Sequence, residues 1–252
     1  MPFSLPYYRD AGQLPGPLPN QNEIERATRT LPRRSDYGGR MVVIRDKYVV
    51  KYGPLVTENE GYTLIFVEKR LNIAAPRLYA MYRDRDILYI VMEYIPNISL
   101  GMAWSSLTEA NKNLIAGQLR CIFDQMRALP SPGFYGSVNR GPVPHSFLSD
   151  YLARHLPLAL RNHPPIFTHG ALSRENVLVR KVVSSVTNEE EYEVAALVDW
   201  EAAGWYPSHW EYSHIFPVLQ WIDDWPAYVE KILDPLPLEG AMMRVVFSDL
   251  EF

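Results

Sequence analysis

The sequence predicts an α+β protein of two unequal lobes, a small antiparallel sheet carrying one helix and then a larger, mainly helical region. Three observations lead there. Between residues 40 and 95 the chain reads as β-β-α-β-β, with β-branched runs around one helical stretch. The run Ile95-Pro96-Asn97 then breaks that pattern, and the spacing beyond it is mostly helical. Finally, 252 residues at 47% apolar and 21% charged form an ordinary globular composition. A chain of that length buries roughly three quarters of its unfolded surface without disulfide or metal staples.

Taken in order, residues 1–22 are expected to be an extended arm, because five prolines in the first twenty residues fix φ and remove donors. Residues 23–95 form the expected N-lobe. It opens with a short helix over 23–31, followed by strands MVVIR (41–45) and KYVVK (47–51) around Asp46. Thr57 reads as the N-cap of a helix running to about residue 72, with Glu58 and Glu60 in its first turn, where the dipole favours anions. Strands PRLYAMYR (76–83) and ILYIVMEY (87–94) complete the sheet. Residues 96–252 form the C-lobe. Thr108 caps a helix over 109–129 that Pro130 ends, and a second helix is expected over 146–160. IFTHG (166–170) is a short strand entering a loop, Val177–Val186 and Tyr192–Asp199 a hairpin, and 207–252 helices punctuated by proline.

Charge and cysteine usage exclude several functions. The balance is 25 − 29 = −4, which argues against a nucleic-acid or anionic-membrane partner, since both need dense positive surface. No apolar run approaches a membrane span, and the opening residues lack the basic start and apolar core of a secretory leader. Cys121 is the only cysteine, fits a reducing compartment, and reads as a buried thiol on the 109–129 helix. A cytoplasmic protein is the expectation.

Two segments carry chemistry, THGALSRENVLVR (168–180) and ALVDWEAAGWYPSHWEY (196–212). Asn176 precedes one strand of the expected hairpin and Asp199 ends the other. An amide oxygen and a carboxylate so placed can meet at one point and suit Mg²⁺, whose shell phosphate and water complete; the same residues also serve as turn caps. Lys51 lies on an apolar strand, and Glu60 opens the helix that packs over it, so a Lys51–Glu60 pair is geometrically reasonable. Either residue also makes sense as a surface charge.

Lys51, Glu60, the run Met92-Glu93-Tyr94-Ile95, His169-Gly170 with Asn176, and Asp199-Trp200-Glu201 together resemble the aminoglycoside phosphotransferase/choline kinase family. The likeness spans about residues 40–215, nearest a fungal branch with D-W-E-x-A-G-W-x-P after its metal aspartate. It implies a bilobal protein-kinase-like fold with ATP between the lobes. By that resemblance Lys51 contacts the α- and β-phosphates and Glu60 positions it. The backbone of Glu93 and Ile95 meets the adenine edge, and Asn176 and Asp199 hold Mg²⁺. Of a glycine-rich phosphate loop only Gly38-Gly39 within residues 35–41 is visible.

One position departs from the family. Its pattern H-G-D-x4-N places an aspartate where this chain has Ala171, and a methyl group accepts no proton. A positioned base contributes about 10²–10⁴-fold, whereas positioning and charge neutralisation carry most phosphoryl-transfer catalysis. Three readings follow. The chain is a small-molecule kinase with residual transfer, Ala171 being native or substituted. Alternatively it is a nucleotide-binding pseudokinase or scaffold with a protein partner, or a fold repurposed for non-phosphoryl chemistry in small-molecule metabolism. Glu201 and His169 are the nearest substitutes for the base, with capping or loop support as their plainer roles.

For the acceptor, residues 201–252 hold nine acidic residues against only Lys231 and Arg244, an acidic wall that suits a cationic small molecule. Trp200, Trp205 and Glu201 are the acceptor-side candidates. The tryptophans at 200, 205, 210, 221 and 225 could stack on an amine or aromatic metabolite, or could pack the core.

Overall fold

The structure, a computed structural model, describes residues 4–31, 39–141, 162–185, 188–216 and 222–248. The expected helix over 146–160, residues 35–38 of the glycine segment and Trp221 lie outside the described residues.

The N-lobe is an antiparallel sheet of β1 (Tyr7–Tyr8), β2 (Arg40–Ile44), β3 (Tyr48–Gly53), β4 (Leu78–Asp84) and β5 (Ile87–Glu93), in the order β1-β4-β5-β3-β2. Strand alternation sends Val43 and Val49 to the face that joins the main core, and Val42, Tyr48 and Val50 to the other. The three-residue β2–β3 loop passes through Arg45 and Asp46, both at positive φ (55° and 50°), and Lys47 N–H closes it on the Ile44 carbonyl (3.2 Å). The proline-rich segment is docked onto the sheet: Tyr7 and Tyr8 pair with Met81 and Ala80, Tyr48 Oη donates to the Gly16 carbonyl, and Arg9 bonds Glu68.

Helix α1 (Gln21–Arg26) starts earlier and stops sooner than the expected 23–31. Asn20 and Glu23 form a reciprocal capping box that sets its start. Residues 29–31 are drawn to the β2 edge instead, where Leu31 N–H donates to Met41 and Val43 N–H to Arg29. Helix α2 (Asn59–Arg70) begins after Glu58 with no side-chain cap, so Thr57 is not its cap.

The C-lobe starts with β6 (Ile98–Ser99) and α3 (Leu100–Ala103) and continues into α4 (Glu109–Arg127). Thr108 Oγ1 accepts the Asn111 N–H at 3.2 Å and caps α4 as expected. Ile115, Leu119, Ile122, Phe123 and Met126 define the buried stripe of α4 at helical spacing. Cys121 falls on the flank of that stripe and is exposed, not the buried thiol the pattern implied.

Strand β7 (Pro165–Thr168) pairs with β10 (Gly204–Pro207), and β8 (Val177–Val183) with β9 (Glu190–Leu197) and β6. The helices α5 (Trp210–Ile215), α6 (Trp225–Ile232) and α7 (Pro237–Ser248) follow. The two pairings fix the ends of the loops after β7 and β9. One apolar core runs from Leu64 and Met81 through Phe167, Trp200 and Leu119 to Val229, so both lobes share it. The lobes also join through Leu197 N–H to the Ala74 carbonyl (3.0 Å).

Candidate functional site

Lys51 is the centre of the site. Its alternation with Val49 carries it beneath α2, where it is 3% exposed. Its Nζ lies 3.0 Å from Glu60, 3.3 Å from Asp199 and 2.6 Å from Glu201. The Lys51–Glu60 pair expected from the sequence is therefore present, and it is buried. Asp199 and Glu201 come from the other lobe, so one ammonium ties three elements across the cleft. Burial alone would lower the lysine pKa, but the three carboxylates, Glu60 first, outweigh it and hold the ammonium above its ordinary range.

Asp199 sits in the left-handed region, φ 65° and ψ 60°, at the turn leaving β9. Asp tolerates that conformation better than most residues. Gly170 also needs positive φ (80°), and a Cβ there would lie 2.6 Å from the Ala202 carbonyl. That contact packs the 168–176 loop against the 199–203 turn. Asn176 Nδ2 donates to the Ala171 carbonyl at 2.8 Å, which commits the amide nitrogen, so only the amide oxygen could meet a cation. His169 is 1% exposed, donates from Nε2 to the Val198 carbonyl (3.1 Å), and packs edge-on to Trp200. Burial lowers its pKa, so the ring is a neutral loop support.

Two further residues shape the site and carried no sequence signal of their own. Asn59 Nδ2 donates to the carbonyls of Glu201 (2.8 Å) and Ala203 (3.0 Å), pinning the start of α2 to the turn that bears Asp199. Glu211, 3% exposed, accepts the N–H groups of Gly170 (2.9 Å) and Leu172 (3.1 Å), the two neighbours of Ala171. The loop backbone is thus fixed from below by a buried carboxylate, whatever side chain stands at 171.

On the adenine side, Glu93 N–H donates to the Arg77 carbonyl (2.9 Å) and Ile95 C=O accepts from Asn97 N–H (2.9 Å). The sheet and the following turn use both groups.

The acceptor-side expectations fare differently. Trp200 is fully buried, bonds the Leu197 carbonyl through Nε1 (3.0 Å) and stacks on Phe167. Trp205 is 5% exposed and packs on Phe66 and Phe167. Both are core residues and offer no face to an acceptor. Glu201 does reach the cleft, but its carboxylate is spent on Lys51.

Most of the expected acidic wall is paired among the described residues. Asp234 pairs with Arg120 and Arg127, Asp224 with Lys112, Asp223 with Arg174, and Glu239 with His163. Glu230 accepts from Tyr212 Oη. The cations come mainly from α4, some hundred residues upstream, so a charge count along 201–252 misses them.

Burial pushes the Glu60 carboxyl up to about 7, with Lys51 opposing the shift. A carboxyl raised in the folded chain keeps a proton that the unfolded chain has released. Its stabilising contribution is full below its ordinary value of 4.5 and is lost as pH climbs to about 7. Glu60→Gln is expected to remove that decline. Urea midpoints across the interval check it, and a decline unchanged by the substitution contradicts it.

Carboxylate oxygens of Glu60, Asp199 and Glu201 lie within 4.8 Å of one another, a set of hard oxygens of the kind that can hold a divalent cation, here gathered around the Lys51 ammonium. No helix among the described residues is long and apolar enough to cross a membrane. Solved structures similar to this chain include the following three. A thermostable mutant of aminoglycoside phosphotransferase APH(4)-Ia, in ternary complex with ADP and hygromycin B, aligns with TM-score 0.58 at 14% identity over 91% of this chain and 88% of that one. The gentamicin complex of APH(2″)-IIa gives 0.57 at 14% identity over 87% and 81%. ADP-bound APH(2″)-Ib gives 0.56 at 16% identity over 85% and 80%. The chain has the protein-kinase-like fold of these enzymes. No protein-family model matches it. No curated protein sequence does either.

Proposed function

We propose that this chain is a cytoplasmic, ATP-dependent phosphotransferase-like protein that binds Mg-ATP between its lobes and acts on a small molecule. The observation that carries the reading is Lys51, buried on the sheet and held by Glu60 while it reaches Asp199 across the cleft. With Asn176 and Asp199, Lys51 would offer a bound triphosphate one cation and two hard-oxygen ligands for its metal. Mg²⁺ there would neutralise phosphate charge. Lys51 would exchange its contact with Glu201 for α- and β-phosphate oxygens, and Ile95 N–H would meet the adenine edge.

Ala171 stands where the resemblance places the base, so hydroxyl acceptors would be phosphorylated slowly, by about 10²–10⁴-fold. The same methyl group favours a second reading, a pseudokinase that binds nucleotide for a protein partner and transfers nothing. Nucleotide binding is common to both. Support comes from the fold's neighbours, one of them a mutant that holds ADP and hygromycin B together.

Thermal unfolding tests the shared claim. Mg-ATP at about 100-fold its Kd stabilises by about 2.7 kcal/mol, a Tm rise of about 5–10 °C for a chain of this size. No rise with Mg-ATP at saturating concentration contradicts the reading.

A further inference from the structure

One side chain joins the proline-rich segment to the helix that serves the nucleotide cleft. Arg9 follows β1, and its backbone N–H donates to the Tyr79 carbonyl (2.8 Å), which fixes it at the start of β4. Its guanidinium then bridges two elements. Nε donates to the Leu78 carbonyl of β4 (2.7 Å), Nη1 donates to Glu68 Oε1 of α2 (2.8 Å), and Nη2 donates to the other oxygen of that carboxylate. The Arg9 side chain is 9% exposed and Glu68 37%, so the arginine end of this bidentate pair is sheltered from water. The same bonds hold the Glu68 carboxyl below its ordinary range. A carboxylate in the last turn of a helix opposes the dipole, so Glu68 does nothing for α2 by itself. Its partner lies outside the helix.

Lys51 belongs to the sheet and Glu60 to the helix, so their 3.0 Å contact lasts only while helix and sheet keep one spacing. At the front of α2 the seat is close, since a Cβ on Gly61 would come within 2.5 Å of Met81 Sδ on β4. Asn59, also at the front, ties the helix to the C-lobe through the Glu201 and Ala203 carbonyls and not to the sheet. Glu68 stands about 12 Å further along, at 1.5 Å of rise per residue, and there Arg9 fastens the rear of the helix to β4. Resting on the phosphotransferase reading above, we infer that Arg9 is a positioning residue for the nucleotide site. Through Glu68 it keeps α2 with the sheet and so holds Glu60 against Lys51, without touching nucleotide or metal itself. A helix released at its rear tilts at its front. The apparent Kd of a site rises in inverse proportion to the fraction of time its competent arrangement exists. If release leaves Glu60 in place one tenth of the time, Mg-ATP binds about 10-fold more weakly.

Calorimetric titration of Mg-ATP into the full chain and its variants, with urea midpoints measured alongside, tests this. Arg9→Ala and Glu68→Ala are each expected to raise the Kd about 10-fold, and the double variant no further, because both break one link. Arg9→Lys keeps the charge but loses the planar fork, and its Kd should fall between; it also stands in if Arg9→Ala does not fold. In a Glu60→Ala chain the helix no longer delivers a carboxylate, so Arg9→Ala should there change the Kd by less than about 2-fold. A lowered urea midpoint with an unchanged Kd overturns the inference and leaves Arg9 to the fold alone. An equal loss of affinity with and without Glu60 overturns it too, since Arg9 would then act by another route. Absence of Mg-ATP binding by the unaltered chain overturns the phosphotransferase reading instead, and is seen before any variant is compared.

Discussion

Lys51→Met is expected to abolish Mg-ATP binding and to destabilise the chain by about 3–5 kcal/mol, because removing one partner of a buried ion pair strands the other. Glu60 carries most of that cost. Its side chain is only 4% exposed and its nearest cation is Lys51 at 3.0 Å, whereas Glu201 is 44% exposed and can turn to water. The stability loss and the binding loss have different causes, and a double variant separates them. Lys51→Met with Glu60→Gln leaves no stranded carboxylate at the buried end. It should recover most of the stability while still failing to bind nucleotide. Denaturant unfolding and a nucleotide titration on both variants check this. A double variant that regains Mg-ATP affinity would show that Lys51 serves only the fold.

Ala171→Asp is expected to raise phosphoryl transfer to a hydroxyl acceptor by about 10²–10⁴-fold while leaving Mg-ATP affinity within a few-fold. The geometry supports an effect confined to the chemical step. The backbone at 171 is set by Glu211 on either side and by Asn176 at its carbonyl, so a new side chain there inherits a fixed loop. Steady-state ADP release with a panel of alcohols and aminoglycosides measures the change in turnover. An unchanged rate in a variant that still binds Mg-ATP would mean that position 171 does not face the acceptor.

Local rules made much of this site legible. Alternation along Tyr48–Gly53 placed Lys51 on the face beneath α2, and the first-turn position of Glu60 brought it to the lysine. Thr108 caps its helix, its hydroxyl accepting both the backbone and the side-chain amide of Asn111. Thr57 had the same chemistry, but α2 begins one residue beyond Glu58, whose carboxylate is drawn to Arg83 and Tyr62. What sequence reading missed is long-range. Glu211 meets the 170–172 backbone across 41 and 39 residues, and Glu201 meets Lys51 across 150. No periodicity encodes such contacts. The tryptophans misled for a related reason. Ligand stacking and core packing demand the same flat apolar surface, and only burial separates them; Trp200 and Trp205 are buried.

The central claim is that Lys51, Asn176 and Asp199 form a metal-nucleotide site. Calorimetric titration of ATP with and without Mg²⁺, on the unaltered chain and on Asp199→Asn, tests it most directly. The account predicts Mg²⁺-dependent binding to the unaltered chain, and loss of the Mg²⁺ dependence when the carboxylate is neutralised. ATP binding of equal strength with and without Mg²⁺, or no binding to the unaltered chain, would contradict it.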